Sequence, residues 1–133
     1  MTTRPFEKPS RAPAPRAPLR GSAVRTLARG TRFTRDLRVL GLVDSTLNVV
    51  ADMARRGAED GLAVVADGQT AGRGRRGGAW FSAPGNGLYV AVLSRPAPSA
   101  IDAPLFAGAV GLAAAAAVAE TTGLDAKLKW PND

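Results

Sequence analysis

The fourteen residues 67–80 hold glycines at 68, 72, 74, 77 and 78 together with Arg73, Arg75 and Arg76, and they directly follow an apolar run at residues 62–66. Glycine lets a backbone take up positive φ and bring its N–H groups close to an anion, while a guanidinium fork pairs with phosphate oxygens. The segment therefore constrains the chain to a buried strand that opens into a loop suited to phosphate. A loop kept for solubility alone requires neither property at such density.

The neighbouring pattern is that of a sheet with helices. The apolar run at residues 39–43 stops at Asp44-Ser45-Thr46, after which Leu47, Val50, Ala51 and Ala54 recur at helical spacing, so strand, turn and helix are predicted. Ser45 suits the N-cap, and Arg55, Arg56 and Gly57 supply a cationic last turn and a C-terminal glycine. Residues 80–82 predict a short strand, 83–87 a turn, and 88–94 the clearest strand in the chain. A helix is predicted over 103–121, free of charge until Glu120 and ending at Gly123; a last strand follows over 126–130 and is stopped by Pro131. That helix is apolar on every side, which predicts burial at the centre of the protein. A membrane span is not expected on length, because it needs about 20 mostly large apolar residues and this run is shorter, with Gly108, Gly111 and many alanines. The whole order predicts an α+β fold, with a mixed or antiparallel sheet and helices packed on one face.

Composition narrows the chemistry. The 133 residues suffice for one domain with a core. With no cysteine and no histidine, disulfides, thiolate metal sites, the usual zinc ligand and the commonest general base are all excluded. Any catalysis runs on Arg, Lys, Asp and positioning. The net charge of +7 is uneven: up to residue 39, ten Lys and Arg face only Glu7 and Asp36, whereas beyond it eight face nine acidic residues. Five of the ten prolines lie in residues 1–20. Residues 1–37 are accordingly expected to form a disordered basic Pro/Arg-rich tail, most simply a solvated extension. Residues 1–30 hold no apolar leader core, and their prolines oppose the amphipathic helix of a transit peptide, so the cytoplasm is the expected location.

Three constellations carry possible chemistry: Asp44-Ser45-Thr46, the segment from Gln69 to Trp80, and Lys129-Trp130-Pro131-Asn132-Asp133. Each stands at the C-terminal end of a predicted strand and would meet the others at one sheet edge. Taken alone, each has an ordinary explanation. Ser45-Thr46 reads first as a helix cap, a lone glycine-rich loop is weak evidence for phosphate, and the last motif suits a turn.

In combination they are specific. Gly72-Arg73-Gly74-Arg75, then Trp80-Phe81-Ser82, Asn86-Gly87-Leu88-Tyr89 and Lys129-Trp130-Pro131-Asn132-Asp133 resemble the catalytic domain of biotin protein ligases, from about residue 39 to the last residue. The resemblance implies the class II synthetase-like fold of the biotin/lipoate ligases over residues 38–133. It also implies a reaction in two steps: biotin and ATP, with Mg²⁺, give biotinyl-5'-AMP, and a lysine of a biotin carboxyl carrier domain then takes the biotin. The same resemblance gives Ser45, Thr46 and Leu47 as the biotin-binding turn. It gives Gln69, Gly72, Arg73, Gly74 and Arg75 as the loop over biotin and the adenylate phosphate. Lys129, Asn132 and Asp133 fall beside the phosphates, with Arg73 and Lys129 as the catalytic cations and Asp133 as a ligand for Mg²⁺. Trp80 is expected to pack the base of the loop, and Arg76 to be solvated.

Two departures stand out. The family's turn is Ser-Thr-Asn, and Leu47 takes the place of the Asn, while Asn48 points about 100° away on the helix. The chain also ends at Asp133 where the family continues, so it is expected to be a fragment that does not complete the reaction alone. Two alternatives remain open. One is a lipoate-ligase-like adenylating enzyme, and the other a nucleic-acid-binding module using the basic tail. Against the latter stand a near-neutral domain, seven aromatic residues and no helix-turn-helix, so neither nucleic acid nor a membrane is an expected partner.

Overall fold

The computed structural model describes residues 14, 16–74, 77–96 and 103–129. In chain order the elements are α1 (Gly21–Leu27), a 3-10 turn (Arg32–Thr34), β1 (Leu37–Val43), α2 (Thr46–Arg55), β2 (Ala63–Arg73), β3 (Ala79–Ser82), β4 (Tyr89–Val92) and α3 (Ala103–Thr122). The chain divides into two compact units, Met1–Arg95 and Pro96–Asp133.

In the first unit β1 and β2 pair in parallel, from Leu37 opposite Ala63 to Val43 opposite Gln69, and parallel pairing requires the crossover that α2 provides. On its other edge β2 pairs antiparallel with β4 along residues 63–66 and with β3 along 69–73, with a register shift between Gln69 and Gly72. β3 and β4 therefore return along β2 as one interrupted strand. The sheet is mixed, and the α+β class predicted from sequence holds.

Alternation along a strand sends neighbours to opposite faces, and both faces of β2 are used. Leu62 and Val64 pack with Val50 of α2 and Ala91 of β4, whereas Ala63 and Val65 pack with Leu37 beneath Leu19, Val24, Ala28 and Phe33. Leu62 and Val64 are fully buried, which contributes about 1.5–3 kcal/mol for each such side chain.

Several expectations are corrected here. Helices cover both faces of the sheet rather than one, because α1 and the 3-10 turn lie on the face opposite α2. These elements fall inside the stretch expected to be disordered. Its composition is basic, yet four apolar side chains spaced four or five residues apart suffice to cap the sheet while Arg20, Arg29 and Arg35 stay exposed. Residues 1–13 and 15 of that stretch lie outside the described residues. Half of the expected phosphate loop is strand, since β2 continues to Arg73, paired with β1 as far as Gln69 and with β3 from Gln69 to Arg73. Its glycines mark crowding there. A Cβ on Gly72 would stand 2.6 Å from both Ser82 Oγ and Trp80 O, and one on Gly68 would stand 2.9 Å from Pro84 Cγ. The expected strand over 126–130 is not formed among its described residues, which pair with no other strand, and Trp130 lies outside them.

In the second unit α3 starts and stops as predicted, and Gly123 ends it at φ 72° with its N–H donating to Ala119 O. Its burial does not follow: none of Leu105–Thr122 is buried, and Leu128 lies near it at Gly111. By length and composition alone α3 could cross a membrane, so the argument from length against a span does not hold for its 20 residues.

Candidate functional site

At the junction of β1, α2 and the second half of β2 the first unit opens a cleft of about 270 Å³. Ser45, Thr46, Gln69 and Arg73 are its polar lining; Leu47, Trp80, Leu88, Tyr89 and Val90 are its largely apolar lining. Two other grooves, lined by Arg35, Asp36 and Arg38, contain none of the candidate residues.

The polar side is built by Gln69. Its Oε1 accepts from the Thr46 N–H at 2.8 Å and from Thr46 Oγ1 at 3.1 Å, and its Nε2 donates to Ser82 Oγ at 3.0 Å. One side chain thus satisfies a first-turn amide of α2 and ties that helix to β3. Ser45 occupies the N-cap position, yet its hydroxyl makes no capping bond although the residue is only 1% exposed. The first-turn amide is instead satisfied by Gln69, and Ser45 is among the residues that line the cleft.

Asp44 organises the turn from below. Its Oδ1 accepts from the Ser45 N–H at 2.6 Å and its Oδ2 from Asn48 Nδ2 at 2.5 Å, while Ala71 N–H donates to its carbonyl at 2.8 Å. The Asn48 amide and then the Ser45 N–H hold the Asp44 carboxyl below its ordinary value, against an opposing effect of burial and with a smaller contribution from the Arg73 charge. Asn48 is thereby committed to Asp44 and does not stand in for an amide at position 47. Leu47, 56% exposed, presents an apolar side chain to the cleft where an amide was expected from the family pattern.

Of the residues singled out from sequence, the structure brings together Ser45, Thr46, Leu47, Gln69 and Arg73. Gly72 lies behind them as the close-approach point of β2 and β3, and Gly74 N–H donates to Gly78 O at 2.7 Å, closing the start of the loop. Arg75, Arg76, Asn132 and Asp133 lie outside the described residues. Lys129 is exposed in the second unit. Trp80 is 60% exposed and lines the cleft, with its ring near Gly74 at the start of the loop. Leu88, Tyr89 and Val90 were not among the candidate site residues. Their signal was available, since they follow the turn that returns the chain along β2 toward Gln69.

The sequence model of the biotin/lipoate A/B protein ligase family matches residues 39–133. The bifunctional ligase/repressor BirA of Bacillus subtilis is 35% identical over 92 residues, covering 69% of this chain and 28% of the relative. The biotin–[acetyl-CoA-carboxylase] ligase of Mycobacterium tuberculosis is 34% identical over 108 residues, covering 72% and 39% respectively. Among solved structures, the Aquifex aeolicus biotin protein ligase in complex with biotin and ATP superposes with a TM-score of 0.65 at 37% identity, over 74% of this chain and 40% of that one. The Leishmania major biotin protein ligase in complex with biotinyl-5-AMP gives 0.59 at 35% identity, over 74% and 46%. This chain thus spans less than half the length of each of these relatives. A matching family model over most of the chain, with a fold like that of the solved ligases, shows that the chain belongs to the biotin/lipoate A/B protein ligase family.

Proposed function

We propose that this chain carries the biotin- and adenylate-binding side of a biotin protein ligase. The observation that carries the reading is the cleft itself: a hydroxyl-bearing turn (Ser45, Thr46), an apolar wall (Leu47, Trp80, Leu88) and one guanidinium (Arg73) lie around a single space. Such a set suits a small acid with an apolar body, held by its tail while its carboxylate reacts near a cation.

In the reaction a biotin carboxylate oxygen attacks the α-phosphorus of ATP. The bond from that phosphorus to the bridging oxygen breaks, and pyrophosphate leaves with the electron pair. An acceptor lysine amine of a carboxyl carrier domain then attacks the acyl carbon and AMP departs. No side-chain nucleophile is needed, which agrees with a chain lacking Cys and His. What the protein supplies is orientation and charge: Arg73, with Arg75 and Lys129 in this reading, stabilises the crowded phosphorus centre. Gln69 acts at one remove by fixing Thr46, while Gly72 and Gly74 give the room in which β3 and the Gly78 carbonyl pack against the cleft's edge. Asn132 and Asp133 complete the phosphate side. Among the described residues no three acidic, His or Cys side chains gather to hold a metal. Mg²⁺ therefore belongs in this reading with the nucleotide phosphates, where Mg²⁺ is usually held by one or two carboxylates, here Asp133. The reading places the reaction in the cytoplasm, with a carboxylase as acceptor.

Titration calorimetry of the 133-residue chain with biotin and, separately, with lipoate tests the reading. Biotin binding in preference to lipoate is expected, and lipoate preference would move the chain to the lipoate branch. In a complete ligase carrying this segment, Arg73→Ala is expected to weaken retention of the adenylate more than biotin binding, because the lost contact is to phosphate. Equal losses for both ligands would reduce Arg73 to a residue that orders the loop.

A further inference from the structure

Arg16 and Leu19 of the N-terminal segment grip the sheet beside the cleft. Arg16 Nη1 donates to Asp67 Oδ1 at 2.6 Å, Arg16 Nη2 donates to Gly87 O at 3.1 Å, and the Arg16 N–H donates to Gly85 O at 3.0 Å. Leu19 N–H adds bonds to Asp67 Oδ1 and Oδ2 at 3.0 and 3.1 Å, and Asp67 O accepts from the Gly85 N–H at 3.1 Å. The N-terminal segment is thereby tied into one knot with residues 48 to 71 positions away in sequence. The Asp67 side chain is only 14% exposed, which separates this pair from surface bridges that contribute little. The turn so gripped is seated closely, with Pro84 against Gly68 and Tyr89 OH donating to Ala83 O at 3.0 Å. The turn leads directly into Leu88, Tyr89 and Val90 of the cleft wall.

We propose that Arg16 is a positioning residue: the segment at residues 16–19 is a strap that fixes Asp67 and the turn at residues 83–87, and through them sets the Leu88, Tyr89 and Val90 wall of the ligand cleft. Arg16 lies outside the residues that match the family, so the strap is a device of this chain's own N-terminal segment. The role in ligand binding rests on the proposed function; the effect on the wall does not.

The test uses the full 133-residue chain, its Arg16→Ala and Arg16→Lys variants, and Val24→Ala as a control that loosens α1 without touching the knot. Hydrogen exchange over residues 85–90 reads the wall, calorimetry reads biotin affinity, and thermal melting reads global stability. Arg16→Ala is expected to speed exchange over residues 85–90 by about tenfold and to weaken biotin binding by about threefold to tenfold, as loss of charge-assisted hydrogen bonds implies. Arg16→Lys should recover part of both, since it keeps the cation at Asp67 and loses the second donor to Gly87. Val24→Ala should lower the melting temperature while exchange over residues 85–90 stays at the wild-type rate. Unchanged exchange in Arg16→Ala overturns the strap, and faster exchange with unchanged affinity overturns its positioning role. An equal effect of Val24→Ala on exchange also overturns it, by reducing Arg16 to a general stabiliser. A wild-type chain that binds no biotin would instead sink the proposed function, and the exchange data would still decide the strap.

Discussion

Gln69 shows how a residue can serve fold and site together. It satisfies the Thr46 N–H and hydroxyl at one end and holds Ser82 at the other, so every change to it is felt by α2, β3 and the cleft. Gln69→Ala is expected to cost about 1–3 kcal/mol, the penalty of stranding a part-buried donor, and the cost should appear as a lower denaturant midpoint at unchanged slope. Asp67 makes a second prediction through pH. The Arg16 side chain and then the Leu19 N–H hold its carboxyl below the ordinary 3.8, against an opposing effect of burial. A depressed folded value means that the carboxylate binds protons more weakly in the folded chain than in the unfolded one. Its contribution is therefore complete above pH 3.8 and is lost as the pH falls through the lower folded value. Asp67→Asn should destabilise the chain at neutral pH, and its difference from wild type should shrink in acid below that point; a constant difference would assign the effect to lost packing. Ser45, Thr46 and Gln69 were legible in the sequence as polar groups at strand ends. That Gln69, not Ser45, caps the helix was not legible, because capping at 23 positions' remove depends on strand register.

At the scale of elements, β2 carries the largest difference between pattern and outcome. Its glycine-rich half resembles a loop because sequence alone does not distinguish a glycine that frees φ from one that makes room. Gly72 makes room, with Ser82 Oγ and Trp80 O where a Cβ would stand. Gly72→Ala should then push β3 away from β2 and cost about 1–3 kcal/mol, the range for overpacking, read by chemical denaturation. A neutral Gly72→Ala would mean that β3 shifts freely and that the strand pairing at residues 69–73 is weak. The helix α2 and strands β1 and β4 were legible because their apolar spacing matches their period. α1 was not, because its few apolar residues are outnumbered by arginines and gain meaning only beneath the sheet face they cover.

At the scale of the molecule, the second unit displays an unusual surface. Leu105, Val110, Leu112 and Val118 of α3, with Leu124 and Leu128 after it, are all exposed. Contiguous apolar surface drives association in water, so the 133-residue chain is expected to self-associate with rising concentration. Leu105→Lys with Leu112→Glu should lower the apparent mass in light scattering, and an unchanged mass would show that α3 is not the contact. The sequence by itself determined the α+β class, the order of most elements, the extent of α3 and the residues of the cleft's polar side, because period, caps and turn chemistry act over a few neighbouring positions. Only the tertiary structure decided that β2 runs through the glycines, that Trp80 and Leu88 become a wall, and that Arg16 reaches Asp67. Each of these depends on which distant strand or segment supplies the facing hydrogen bond or fills the facing space, and local pattern does not encode that partner.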